Sequence, residues 1–148
     1  MCCVPQLRPL ELTDLLWACD RATGDRLPVR RDDVLSRFAD TGQRRAARIA
    51  GTLPSDGALL DEGAVDELLL RVHAELQRLG EELQLPRRLA EALLRWALPL
   101  LERQPDVPVR VVDVGCGLGY VIRWLSAHHA LPPTVELVGV DLNSTLVQ

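Results

Sequence analysis

The feature that most restricts the fold lies late in the chain. Three glycines occupy alternate positions in Gly115-Cys116-Gly117-Leu118-Gly119, directly behind the apolar run Val109-Arg110-Val111-Val112-Asp113-Val114. That run is β-branched and bounded by Pro108 and Gly115, so it reads as a short strand. Tyr120 to Ala130 reads as a helix, with Val121, Ile122, Trp124 and Leu125 available to pack and Pro132-Pro133 as its stop. Val135-Glu136-Leu137-Val138-Gly139-Val140 is a second strand, closed by Asp141. Strand, glycine loop, helix and strand make one βαβ unit with parallel strands and a right-handed crossover. The fold class is therefore α/β, at least for this stretch.

The chain before Pro105 to Pro108 has a different style. It is rich in Leu, Ala, Arg and Glu at helical spacing, which divides the sequence into a helical segment, 1–104, and an α/β segment, 105–148. Four helices are expected in the first part. Glu11 to Arg21 carries Leu12, Leu15, Leu16 and Cys19 on one face, and 24–31 reads as a loop around Gly24 and Pro28. A second helix capped by Asp32 or Asp33 is expected to run to about Ile49, with Val34, Leu35, Phe38 and Ala46 inward. Gly51, Pro54, Ser55, Asp56 and Gly57 break it. The third, from about Asp61 to Gln84, bears the stripe Val65, Leu68, Leu69, Val72, Leu76, Leu79 and Leu83, with Arg71, Glu75, Arg78 and Glu82 opposite. Pro86 opens a fourth helix, in which Pro99 is expected to introduce a bend. Aromatic residues make up only 3% of the chain, so the core must be largely aliphatic. The Leu stripe and His73 beside it read as structural, and the pairs Arg30/Arg31, Arg44/Arg45 and Arg87/Arg88 as solvated surface.

In an open α/β sheet, ligands sit beyond the carboxyl ends of the strands. The loop 115–119 lies at that end, where glycines let a ligand approach the backbone. The following helix directs its unpaired N–H groups to the same space. Asp141 ends the neighbouring strand, where a carboxylate can accept hydrogen bonds from the two hydroxyls of a ribose. The unit thus reads as a nucleoside-binding half-site. The dinucleotide fingerprint GxGxxG does not fit, because its third glycine would fall on Tyr120 or Ile122.

The pattern present, Asp113-Val114-Gly115-Cys116-Gly117-Leu118-Gly119, resembles the first motif of the class I S-adenosylmethionine-dependent methyltransferases. Gly139-Val140-Asp141-Leu142-Asn143 resembles their second strand with its ribose-binding acid, 22 residues beyond Gly119. The resemblance implies a Rossmann-like fold with S-adenosyl-L-methionine as cofactor, and a cofactor-binding set of Asp113, Gly115, Cys116, Gly117, Gly119, Asp141 and Leu142. The glycines would lie against the methionine and ribose part. Asp113 would stand near the amino group, Asp141 at the ribose hydroxyls and Leu142 on the adenine side. Cys116 sits where small residues fit, so filling is expected of it rather than thiol chemistry. The resemblance covers about residues 109–148, only the first two strands of a sheet that has seven in the family. The expectation is thus an incomplete methyltransferase domain, truncated after its second strand and inactive as a fragment. The groups that orient or deprotonate the acceptor come from later strands in that family, so no catalytic residue is assigned. The acceptor is open among small molecules, RNA, protein and lipid.

Composition removes other chemistries. All 17 basic residues are arginine. The absence of lysine excludes a Schiff-base lysine and the P-loop, which needs one on the phosphates. A formal charge of -4 gives no strong nucleic-acid signal. Cys2, Cys3, Cys19 and Cys116 have no zinc-ligand spacing, so no metal site is expected and the thiols read as reduced. MCCVPQLRPLEL lacks the pattern of a signal peptide, and no apolar run approaches a membrane span of ~20 residues, so a cytoplasmic protein is expected. Two rival functions stand beside the methyltransferase: a non-catalytic helical interaction module completed by a partner, and a nucleotide-binding oxidoreductase, disfavoured by the glycine spacing.

Overall fold

The computed structural model describes residues 12–20 and 22–147. Cys2, Cys3, the N-terminal stretch, Glu11 and Arg21 lie outside the described residues. The structure is mixed α/β and falls into two compact units that divide at Leu69/Leu70. The division lies inside a helix, whereas composition changes near residue 105. The cause is that the helix Leu85–Arg103 packs against the helix Tyr120–Ala127 and the strand Val109–Val114 of the α/β segment.

The first unit opens with α1 (Leu12–Leu16), which is shorter than the expected helix to Arg21. Asp20 turns the chain: its carboxylate accepts the Ala22 N–H at 2.7 Å and its carbonyl accepts that of Gly24 at 2.7 Å. Cys19 therefore sits in a strand, β1 (Ala18–Cys19), paired antiparallel with β2 (Arg26–Leu27) inside the expected loop. Next comes α2 (Arg31–Asp40). Arg30 is its N-cap, and Asp32 and Asp33 instead occupy the first turn, where their charge favours the positive end of the helix.

The expected single helix to Ile49 is two. Gly42 at φ 71° ends α2, and α3 (Arg44–Thr52) starts afresh. Gly57, at φ 59°, turns β3 (Ser55–Asp56) into β4 (Leu59–Leu60). Arg31 is not solvated surface: its guanidinium donates to Ser55 Oγ at 3.2 Å and to the Gly51 carbonyl, tying α2 to the end of α3. α4 (Glu62–Glu82) is capped by Asp61, whose carboxylate accepts the Ala64 N–H at 2.7 Å. The core of this unit gathers Leu15, Leu16, Val34, Phe38, Ala50, Leu60, Val65 and Leu69. Phe38, the chain's single phenylalanine, is 0% exposed at its centre.

The second unit begins with the rest of α4. Here the sequence stripe fails: Leu76, Leu79 and Leu83 are exposed, Leu76 to 58%, although Val65 and Leu69 on the same stripe are buried. Val65 and Leu69 belong to the core of the first unit. α5 (Leu85–Arg103) begins after Gln84 and runs through Pro99 to Arg103. Its buried residues Pro86, Ala90 and Ala97 recur at helical spacing on one face. β5 (Val109–Val114), α6 (Tyr120–Ala127) and β6 (Val135–Val140) complete the βαβ unit. Both strands have the expected ends. β5 and β6 are parallel in a single register, Val109 opposite Val135 through Val114 opposite Val140. No helix among the described residues is long and apolar enough to cross a membrane.

The parallel register sorts the sheet into two faces. Val111, Asp113, Leu137 and Gly139 share one with α6. Arg110, Val112, Val114, Glu136, Val138 and Val140 share the other. The second face carries the Arg110–Glu136 ion pair at 2.8 Å and a valine row in which Val114 is 81% exposed.

Candidate functional site

The site is built at the carboxyl ends of β5 and β6. Val114 is the last strand residue of β5, and the backbone must turn at once to enter α6. It does so with three left-handed residues, Gly115 at φ 77°, Gly117 at 53° and Gly119 at 67°. That conformation costs an L residue with a side chain about 1–2 kcal/mol, which is why glycine alternates here. The N–H groups of Gly115 and Cys116 both donate to the Val140 carbonyl, at 2.8 and 3.1 Å, and pin the loop to the end of β6. Gly119 donates to the Cys116 carbonyl at 2.9 Å and is the N-cap of α6.

Asp141 completes the arrangement. Its Oδ2 accepts the Gly117 N–H at 2.8 Å, and its Oδ1 accepts the Asn143 N–H at 2.8 Å. The buried Asn143 then accepts the Thr145 N–H at 3.0 Å through its own Oδ1. One carboxylate therefore joins the glycine loop to the turn that follows β6. Each oxygen has a lone pair beyond the bond it already accepts.

Cys116 faces inward. A Cβ placed on Gly139 would lie 3.0 Å from its Sγ, so the thiol fills the space that glycine leaves in β6. Burial pushes the thiol pKa up, and the Asp141 and Asp113 carboxylates push it further in the same direction. The group stays protonated and fills space, as its place in the loop predicts. Asp113 is half-buried on the same face of the sheet as Gly139. Leu142 stands out from the end of β6, 80% exposed. The loop, Asp113 and Asp141 are thus brought together, with Leu142 at their margin.

The helix α4 was expected from the sequence, but not its place at the site. His73 packs on the loop so closely that a Cβ on Gly117 would fall 2.7 Å from its Cδ2. Gln77 Oε1 accepts from Arg123 Nη2 of α6 at 3.3 Å. Gly80 lets Tyr120 approach, and a Cβ there would lie 3.1 Å from its Cε1. Burial, with a smaller contribution from Glu81, pushes the Tyr120 phenol pKa up. His73, Gln77 and Gly80 are spaced i, i+4 and i+7, one helical stripe made of polar and small residues. An apolar-periodicity search cannot see such a stripe. Its signal was Gly80, an unexplained glycine inside a strong helix.

His128 and His129 are exposed at the end of α6, where His128 stacks on Trp124 with ring centroids 4.1 Å apart. Among the described residues no group of three His, Cys, Asp or Glu side chains could hold a metal ion. No protein-family model, curated protein or solved structure matches the chain.

Proposed function

We propose that residues 105–148 are the S-adenosylmethionine-binding start of a class I methyltransferase, which passes the methyl group to an acceptor of undetermined class. The observation that carries this reading is the Asp141 carboxylate at the tip of β6, hydrogen-bonded at 2.8 Å to the middle glycine of a loop that ends β5. The residues fit the cofactor. A Cβ on Gly115 or Gly119 would meet nothing within 4 Å, so the loop is open above both. Asp141 retains acceptor capacity for two ribose hydroxyls. Asp113 supplies a second carboxylate for an amino group, and Leu142 an apolar surface for a base.

The loop's own hydrogen bonds favour this cofactor over a dinucleotide. The N–H groups of Gly115, Cys116, Gly117 and Gly119 all donate within the chain. A pyrophosphate needs such groups directed at it. A ribose and a zwitterionic amino acid are served by the carboxylates instead. When bound, S-adenosylmethionine supplies an electrophilic methyl on a sulfonium for in-line displacement. The chain's residues hold the donor in place, and positioning is a large share of such catalysis.

Calorimetric titration of the chain with S-adenosylhomocysteine tests the reading. Saturable binding is expected, weakened at least about tenfold by Asp141→Ala, since that loss equals about 1.4 kcal/mol and two hydroxyl contacts exceed it. Preferential binding of NADH would refute it in favour of an oxidoreductase.

A second reading has its own observation. Val112, Val114 and Val140 on the uncovered sheet face are what an interaction module completed by a partner would present. Sedimentation at rising concentration separates the two. A mass that increases with concentration, without cofactor binding, favours the module.

A further inference from the structure

We infer that His73 is a positioning residue for the cofactor half-site: its imidazole occupies the space beside Gly117 and holds the loop in the turn that aims the Gly117 N–H at Asp141. This rests on the methyltransferase reading given above. Of the three left-handed glycines, only Gly117 has an atom pressed against it, His73 Cδ2 at 2.7 Å from a Cβ position, while Gly115 and Gly119 face open space. Gly117 is also the buried one of the three. The loop is therefore held from β6 through the Gly117 N–H and from α4 through the His73 ring.

The ring is itself placed by two further contacts on the same helical stripe, Gln77 with Arg123 and Gly80 with Tyr120. These set α4 against the first turn of α6, which begins at Tyr120 directly behind the loop. Glycine has the widest conformational freedom of any residue. Without the ring, Gly117 can leave φ 53° and withdraw its N–H from Asp141. The carboxylate then loses one of the two bonds that fix its plane. A ribose-binding acid must be held to within a few tenths of an ångström to act.

The test measures amide hydrogen exchange and cofactor affinity on the full chain, in the wild type, His73→Ala and His73→Phe. In His73→Ala the Gly117 amide is expected to exchange about tenfold faster or more, while the Leu125 amide inside α6 keeps its rate. The phenylalanine ring, of similar breadth, restores protection. S-adenosylhomocysteine binds about tenfold more weakly to His73→Ala and recovers in His73→Phe, as expected when the bulk of the ring holds the loop. If His73→Ala does not fold, His73→Asn takes its place, with Leu125 protection as the control. Unchanged Gly117 exchange overturns the inference. Faster exchange with unaltered affinity overturns its cofactor role. A wild-type chain that binds no S-adenosylhomocysteine refutes the methyltransferase reading itself, and exchange alone then decides whether His73 clamps the loop.

Discussion

Alanine at Gly117 and alanine at Gly119 look alike in sequence and should behave very differently. Both glycines are left-handed, at φ 53° and 67°. The conformational penalty for adding a Cβ is thus the same, about 1–2 kcal/mol. At Gly119 nothing lies within 4 Å of the new methyl, so that penalty is the whole effect. At Gly117 the methyl would overlap His73 Cδ2 at 2.7 Å, well inside carbon–carbon contact. The ring must move, and overpacking of this kind adds about 1–3 kcal/mol. Gly117→Ala should therefore lose about 2–5 kcal/mol and Gly119→Ala about 1–2 kcal/mol. Urea unfolding of each variant measures the difference. The decisive experiment is the cycle with His73→Ala. Removing the ring should return about 1–3 kcal/mol to the Gly117→Ala chain and nothing to Gly119→Ala, a coupling energy that reports contact. Equal losses in the two single variants, or additivity in the cycle, would refute the clamp.

Other expectations follow from the same geometry. Arg26 donates through Nη1 to both carboxylate oxygens of Asp66 at 2.9 Å, each side chain being less than a quarter exposed, so its removal should cost about 1–2 kcal/mol by thermal unfolding. Arg110→Ala, which breaks the exposed pair with Glu136, should change stability by less than about 0.5 kcal/mol in the same assay. The raised Cys116 pKa means that the folded chain keeps its proton to higher pH than the unfolded one. Its contribution is complete below the ordinary thiol pKa and is lost as pH rises through the folded value, a slope that Cys116→Ala should abolish in alkaline unfolding curves. The same thiol should react with iodoacetamide more slowly than a free cysteine at pH 8, as mass spectrometry can follow.

The two strands of the βαβ unit were legible to the residue because their signals are local, whereas α6 ends at Ala127, three residues short of the expected Ala130. β-Branched runs, glycines and prolines bracket each strand, and β5 and β6 begin and end where those signals do. The glycine loop and Asp141 came with them, since adjacent parallel strands place their ends side by side. The helices α4 and α5 were legible as elements, but not in what they bury. Leu76, Leu79 and Leu83 follow the periodicity of Val65 and Leu69, yet they are exposed while those two are buried. Two-residue ladders such as β1 with β2 carry no periodic pattern at all. The break at Thr41-Gly42 was hidden by the helix formers on either side. His73 lay outside the site's sequence neighbourhood, and only folding brings position 73 to position 117.

The parallel pairing of β5 with β6 also dictates an order of events during folding. Each of the six pairs joins residues 26 apart in the chain, from Val109 with Val135 onward, so no hairpin can nucleate the sheet. Closing a loop of that length costs about 3 kcal/mol of chain entropy before the first pair forms. α6 lies within the loop and shortens it by becoming helical. Refolding of this unit should accelerate when helix propensity rises at an exposed position such as Ser126, while its unfolding rate barely changes. That outcome would place the crossover helix within the folding nucleus of this unit.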